Sequence, residues 1–289
     1  MVQFRWDGGH KITNKFILKV AINMLREMIN KYLDDNIDNY EDVALLFSGG
    51  MDSLSLLISC IDLGIKPHLY TFYLDNYVSE DIKASREIAN IFNLKLTEIK
   101  INTSQDRLIK DVKYIIKKFG VTKKTAIQCI HPFIYVIPEI KEKYVLSGLC
   151  ADDLYGTPRS MAKLCDDVEK FNELRLKKLK DETSSSYSYI RDMLHEANKI
   201  FIAPYKTCEE ISCYMMKLNY KDMNRPKQKN VMYEDYKDVL DKYKLYRRNS
   251  NLQCNSKIRE WHDLLLESEE NINNNKSVTG IYNRYGREF

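Results

Sequence analysis

The chain has 289 residues, of which 44% are hydrophobic and 30% charged, and its 45 basic and 41 acidic side chains leave a net charge of only +4. That length and composition suit a globular protein with one large or two moderate domains, and they argue against disorder or a strongly basic nucleic-acid binder. No apolar run approaches about 18 residues, so no membrane helix is expected. The seven cysteines are scattered, with neither CxxC pairs nor histidines at zinc-ligand spacing, which points to reduced thiols and a cytoplasmic protein.

In chain order, Phe16, Val20, Ile22, Leu25, Met28, Ile29 and Leu33 fall at helical spacing, predicting a leading helix over Ile12 to Leu33 capped by Thr13 or Asn14. Residues 43–47 form an apolar first strand, and Leu54 to Leu63 read as the helix after it. A strand over His68 to Leu74, a helix over Ser79 to Phe92 capped by Ser79, and a strand over Lys95 to Ile101 follow. Such alternation predicts an α/β fold with a doubly wound parallel sheet. Helices are expected at 104–119 and 125–140, then a fourth strand at Tyr144 to Leu146. Lys163 to Glu182 is charged and helical in pattern, Thr183 to Ser186 reads as a flexible loop, and from 187 onward helical patterns run without strands between them. The expected organisation is a leading helix over 1–42, an α/β domain over 43–160, a mainly helical substrate-side subdomain over 161–270, and a tail over 271–289. The tail is loosely held unless Tyr282, Tyr285 and Phe289 dock.

Two segments carry the chemistry. In Ser48-Gly49-Gly50-Met51-Asp52-Ser53, a buried strand gives way to a helix through a turn of small residues. Glycines there allow close backbone approach, and the N–H groups and dipole of the helix start favour phosphate. Ser48 and Ser53 add hydroxyls, and Asp52 can hold magnesium against phosphate oxygens; an ordinary βα turn with an Asp or Ser cap is the plainer alternative. The second segment, Ser147-Gly148-Leu149-Cys150-Ala151-Asp152-Asp153-Leu154-Tyr155-Gly156, again places Ser-Gly and carboxylates after a strand. Asp152 is either a second metal ligand facing Asp52 or a helix cap.

The first segment resembles the pyrophosphate loop of the ATP pyrophosphatase (PP-loop) superfamily, whose members cleave ATP between the α and β phosphates. It lacks the Gly-Lys-Ser/Thr of a Walker loop. The second segment, about a hundred residues on, resembles the corresponding loop of asparagine synthetases and β-lactam synthetases, and Ala84 to Phe92 is similar to the helix before that family's third strand. The resemblance covers roughly residues 13–160 well. It implies that Ser48, Gly49, Gly50, Asp52, Ser53 and Ser147 form the ATP site, with Asp52 and Asp152 on Mg2+. Leu46 would lie near the adenine, and Leu74 and Gly148 would contact adenosine through their backbones. Ala203-Pro204-Tyr205 is similar to the family's Val-Pro-Phe turn. Lys227-Gln228-Lys229 is similar to its lysine segment, which makes Lys229 the catalytic lysine and Lys227 the runner-up. Asp153 and Tyr155 would accept or position a proton, and Arg191 and Arg225 are further phosphate candidates.

Three departures bear on the substrate. Val2 stands where a glutaminase would carry its cysteine, and residues 1–42 alone precede the first strand, so nitrogen is expected from ammonia, an amine or a separate amidotransferase. Leu149 replaces a glutamate, and Ile200-Phe201-Ile202 replaces acidic and arginine positions, which disfavours plain aspartate. The implied reaction is adenylation of a small-molecule carboxylate followed by amide formation. The alternatives are a nucleotide- or tRNA-modifying ATP pyrophosphatase and a non-catalytic ATP sensor; nucleic acid is a possible partner but not the favoured one.

Overall fold

The computed structural model describes residues 24–247 and 252–289. The portion of the expected leading helix before Met24 lies outside them; the described helix, α1, runs over Met24–Asn36. Next come β1 (Val43–Leu46), α2 (Met51–Asp62), β2 (His68–Leu74), α3 (Glu80–Phe92), β3 (Leu96–Ile101), α4 (Gln105–Phe119), α5 (Lys124–Ile130), β4 (Tyr144–Ser147) and α6 (Ala151–Tyr155). The expected cap on α3 is present, with the Ile82 amide donating to Ser79 Oγ at 3.3 Å.

Five parallel strands stand in the order β3-β2-β1-β4-β5, where β5 is Ile200–Ile202. Chain order reverses between β1 and β4, and that is where open α/β sheets bind ligands. Successive side chains of β1 point to opposite faces. Leu45 and Phe47 enter one core with α1 and α2, whereas Ala44 and Leu46 enter another with α4 and α5. Both faces are thus covered, which is why β1 and β4 are buried along their whole length.

The chain beyond residue 160 differs from its sequence reading in two places, and its tail meets the docking condition at Tyr282 and Tyr285 but not at Phe289. A strand, β5, interrupts the expected helical run: three residues are too few to show a period, but Ile200-Phe201-Ile202 is strongly β-forming and pairs with β4. Helices between 168 and 242, including α7 (Val168–Lys180), pack with the α1–α2 core, while α8 (Tyr187–Glu196) joins the opposite one. The end of the chain also packs on that opposite face. Its helix α10 (Val278–Gly286) buries Tyr282 and Tyr285 completely, while Phe289 stays 60% exposed. The helix expected over 125–140 is broken after α5 by Pro132 and continues as short turns around Pro138, since proline cannot donate the helical hydrogen bond.

Candidate nucleotide-binding and adenylation site

α2 begins at Met51, earlier than the apolar pattern indicates, so Asp52 and Ser53 sit in its first turn. Its N-cap is Gly50, and no side chain closes the helix start. The amides at that end therefore remain available to an anion. Gly49 adopts φ +69°, and a Cβ there would come within 2.7 Å of the Ala84 methyl. Ser48 and Ser53 brace the turn: the Gly50 amide donates to Ser48 Oγ at 3.3 Å, and Ser53 Oγ donates to the Gly50 carbonyl at 3.1 Å.

The loop after β4 packs directly on this turn. A Cβ on Gly148 would lie 2.8 Å from both Cβ and the carbonyl carbon of Asp52, so only glycine permits the approach. Ser147 Oγ accepts from the Leu149 amide at 3.3 Å and tightens that loop. Asp52 and Asp152 are thereby brought to one point, occupied by the ammonium of the fully buried Lys229. Its Nζ lies 2.5 and 2.6 Å from the two Asp52 oxygens and 2.7 Å from Asp152 Oδ1. Lys229 belongs to the segment just before α9 (Asn230–Asp235), 177 positions from Asp52 in sequence.

Charge explains the balance. One ammonium faces two carboxylates, so their shared lysine is held charged above its usual range, against the opposing effect of burial. Asp52 is pushed up to about 6, chiefly by burial and further by Asp152, with Lys229 pulling the other way. Beside the pair opens a cavity of about 380 Å³ lined by both loops, Leu46, and Tyr70 to Phe72 of β2.

A family comparison decides what this arrangement belongs to: the asparagine synthase family matches residues 24–263, most of the chain and both loops. The chain belongs to the asparagine synthase family. That family comprises ATP-using enzymes of the PP-loop superfamily, and they usually employ Mg2+. No curated protein matches the chain. Among solved structures it is similar to a protein described as a predicted subunit of a tRNA methyltransferase from Methanocaldococcus jannaschii. The two are 16% identical over 73% of this chain and 94% of that one, with a TM-score of 0.35.

Around this cavity, the sequence-derived candidates separate. Leu46, Ser48, Gly49, Gly50, Asp52, Ser53, Ser147, Gly148 and Asp152 all line the cavity, and Lys229 reaches it only through its ion pairs with Asp52 and Asp152. Leu74 does not line it: β2 turns away after Leu74, whose carbonyl accepts from the Tyr77 amide, and the cavity uses residues 70–72 instead. Lys227 points elsewhere, its Nζ 3.2 Å from the ring centre of Tyr233 and 4.8 Å from that of Tyr246. Asp153 is turned inward, accepting from Ser184 Oγ at 2.7 Å and Ser185 Oγ at 3.0 Å. It pins the 183–186 loop, expected to be flexible, and does not line the cavity. Tyr155 is wholly buried and burial raises its hydroxyl far above the usual range, which unsuits it as a proton acceptor. Arg191 is engaged by Glu182 and Asp192, and neither it nor Arg225 lines the cavity.

Sequence reading passed over Tyr70, Phe133 and Val136 on one wall and Arg247 and Asn255 on the other. The first could have been found from the rule that strand carboxyl ends meet ligands. Arg247 and Asn255 carry no local signal, since only tertiary packing brings them to the cavity. Among the described residues, no helix is long and apolar enough to cross a membrane.

Proposed function

We propose that the chain is an ATP-dependent, amide-forming ligase that adenylates a carboxylate or carbonyl oxygen. The observation that carries this reading is the convergence of Asp52, Asp152 and Lys229 where the helix start and the cavity meet. The residues suit a nucleotide with its metal: small residues and a bare helix N-terminus leave room for phosphates, and two oxygen-donor side chains are the number magnesium usually takes from protein. Bound there, magnesium would neutralise phosphate charge.

In this reading the Ser48–Ser53 turn binds the phosphates through the α2 amides and the two serine hydroxyls. Leu46 and the β2 residues hold the base against the sheet. The substrate oxygen attacks the α phosphorus and the bond to the β-phosphate oxygen breaks, so pyrophosphate leaves as an acyl-adenylate forms. Lys229 supplies positive charge to the developing negative charge. Ammonia or an amine then attacks the acyl carbon, and AMP departs with the electron pair as the nitrogen loses a proton. Leu149 puts an apolar side chain on the cavity wall, which supports an acyl substrate less charged than aspartate. The carboxylate, the amine and any separate amidotransferase are part of this proposal.

The test is pyrophosphate and AMP release from ATP and Mg2+ across a panel of carboxylates with ammonia and amines. Both products should appear with a matching pair and vanish in Asp52→Ala. Nucleotide binding with no release from any member of the panel would overturn the assignment.

A further inference from the structure

Lys229 is anchored at its root and surrounded by carboxylate at its tip. Its backbone adopts φ +56°, and its amide donates to Asn224 Oδ1 at 3.2 Å. Asn224 in turn donates to the Tyr155 carbonyl at 2.9 Å. At the far end, three carboxylate oxygens meet one ammonium, which has three N–H donors to give. A point where several hard oxygens converge with excess negative charge is also what a divalent cation selects. Those oxygens cannot ligate a small divalent ion while the ammonium sits among them.

Resting on the adenylation reading above, we infer that Lys229 is a resident counter-cation exchanged for the catalytic metal. Without metal, its ammonium clamps the Asp52 and Asp152 loops together. When metal binds, Lys229 gives up those oxygens and its flexible stem swings Nζ away from them, while the root stays fixed. Tyr155 borders the path: its ring centre already lies 5.7 Å from Nζ, and its hydroxyl is buried without a hydrogen-bond partner among the described residues. The exchange makes the lysine mobile only once the metal is in place. Charge would thus be delivered to the reacting phosphate when the site is loaded, and held as an ion pair otherwise.

The experiment needs no turnover. Mn2+ binding is titrated by electron paramagnetic resonance on nucleotide-free wild type and on Lys229→Met. The variant should bind Mn2+ at least about tenfold more tightly, because the competing cation is gone; equal or weaker binding overturns the exchange. A second arm uses wild type alone, in case Lys229→Met does not fold. The Lys229 side-chain signal, assigned with Lys229→Arg in lysine-labelled protein, should shift as Mg2+ is added. A signal that stays put at saturating Mg2+ equally rejects the proposal. Pyrophosphate release enters neither readout, so the ligase reading can stand or fall separately.

Discussion

The loop after β1 runs into a helix of 12 residues, whereas the loop after β4 meets one of only 5. Both leave neighbouring parallel strands at the same edge of the sheet, and both combine serine, glycine and aspartate. The longer helix has a dipole and aligned amides worth offering to an anion. The shorter one does not, and its loop is instead fixed in shape: Cys150 takes φ +69°, and Asp153 is tied to Ser184 and Ser185. What remains for that loop is to project one carboxylate, Asp152, at a point set by the first loop. In the proposed reading, similar sequence motifs thus divide the work, one turn receiving phosphate and the other completing its charge.

The largest expected effect breaks the first loop's half. Asp52→Ala removes a carboxylate from the shared cation point, and pyrophosphate release in the presence of substrate should fall about a hundredfold or more. Gly148→Ala attacks the contact between the loops. Its methyl would meet backbone atoms of Asp52 at 2.8–2.9 Å, which cannot yield as a flexible side chain can. A stability loss of about 1–3 kcal/mol in denaturant unfolding is expected, together with weakened metal binding as Asp152 is pushed away from Asp52. The same change at Gly64, where a Cβ meets nothing within 4 Å, should leave metal binding as it was, although φ +79° will still cost some stability.

Asp153→Asn sharpens the contrast between the two adjacent aspartates. The amide keeps the shape but weakens the hydrogen bonds from Ser184 and Ser185, so about 1–3 kcal/mol of stability should be lost. Pyrophosphate release by the folded fraction should change only a few-fold, because Asp153 does not line the cavity. A loss as large as that of Asp52→Ala would return Asp153 to a direct role.

How much of this was legible in the chain follows the range of the interactions involved. The strands and helices from Val43 to Ile101 show in the sequence because a continuous apolar run or a periodic apolar face is a local pattern. The two loops show for a similar reason: Gly49 and Gly148 lie within four residues of Asp52 and Asp152 in the same short segments. Strand β5 is hidden by its brevity, and the tail's docking could not be decided locally because Tyr282 and Tyr285 pack into a core shared with the sequence-distant α4 and α5. Choosing between Lys227 and Lys229 illustrates the limit. The two are separated by a single residue in an equally basic stretch, and only packing sends one over the Tyr233 ring and the other to the carboxylates. Arg247 and Asn255 were illegible for the same physical reason, since nothing near them in sequence marks the cavity they border.

The smallest effect tests whether the two loops are coupled by charge as well as by contact. Asp52 is raised from 3.8 to about 6 by burial first and by Asp152 as well, while Lys229 opposes both. A neighbouring negative charge disfavours ionisation, so removing it must favour the carboxylate. In Asp152→Asn the Asp52 midpoint should therefore move down from about 6 toward more acidic pH, and it should also feel Lys229 more strongly once the lysine has one carboxylate fewer to serve. Carbon-13 titration of the Asp52 carboxyl in wild type and Asp152→Asn reads this directly, without substrate. An unchanged midpoint would mean that the loops touch without sharing charge, and that burial and Lys229 set the proton affinity of Asp52 without Asp152.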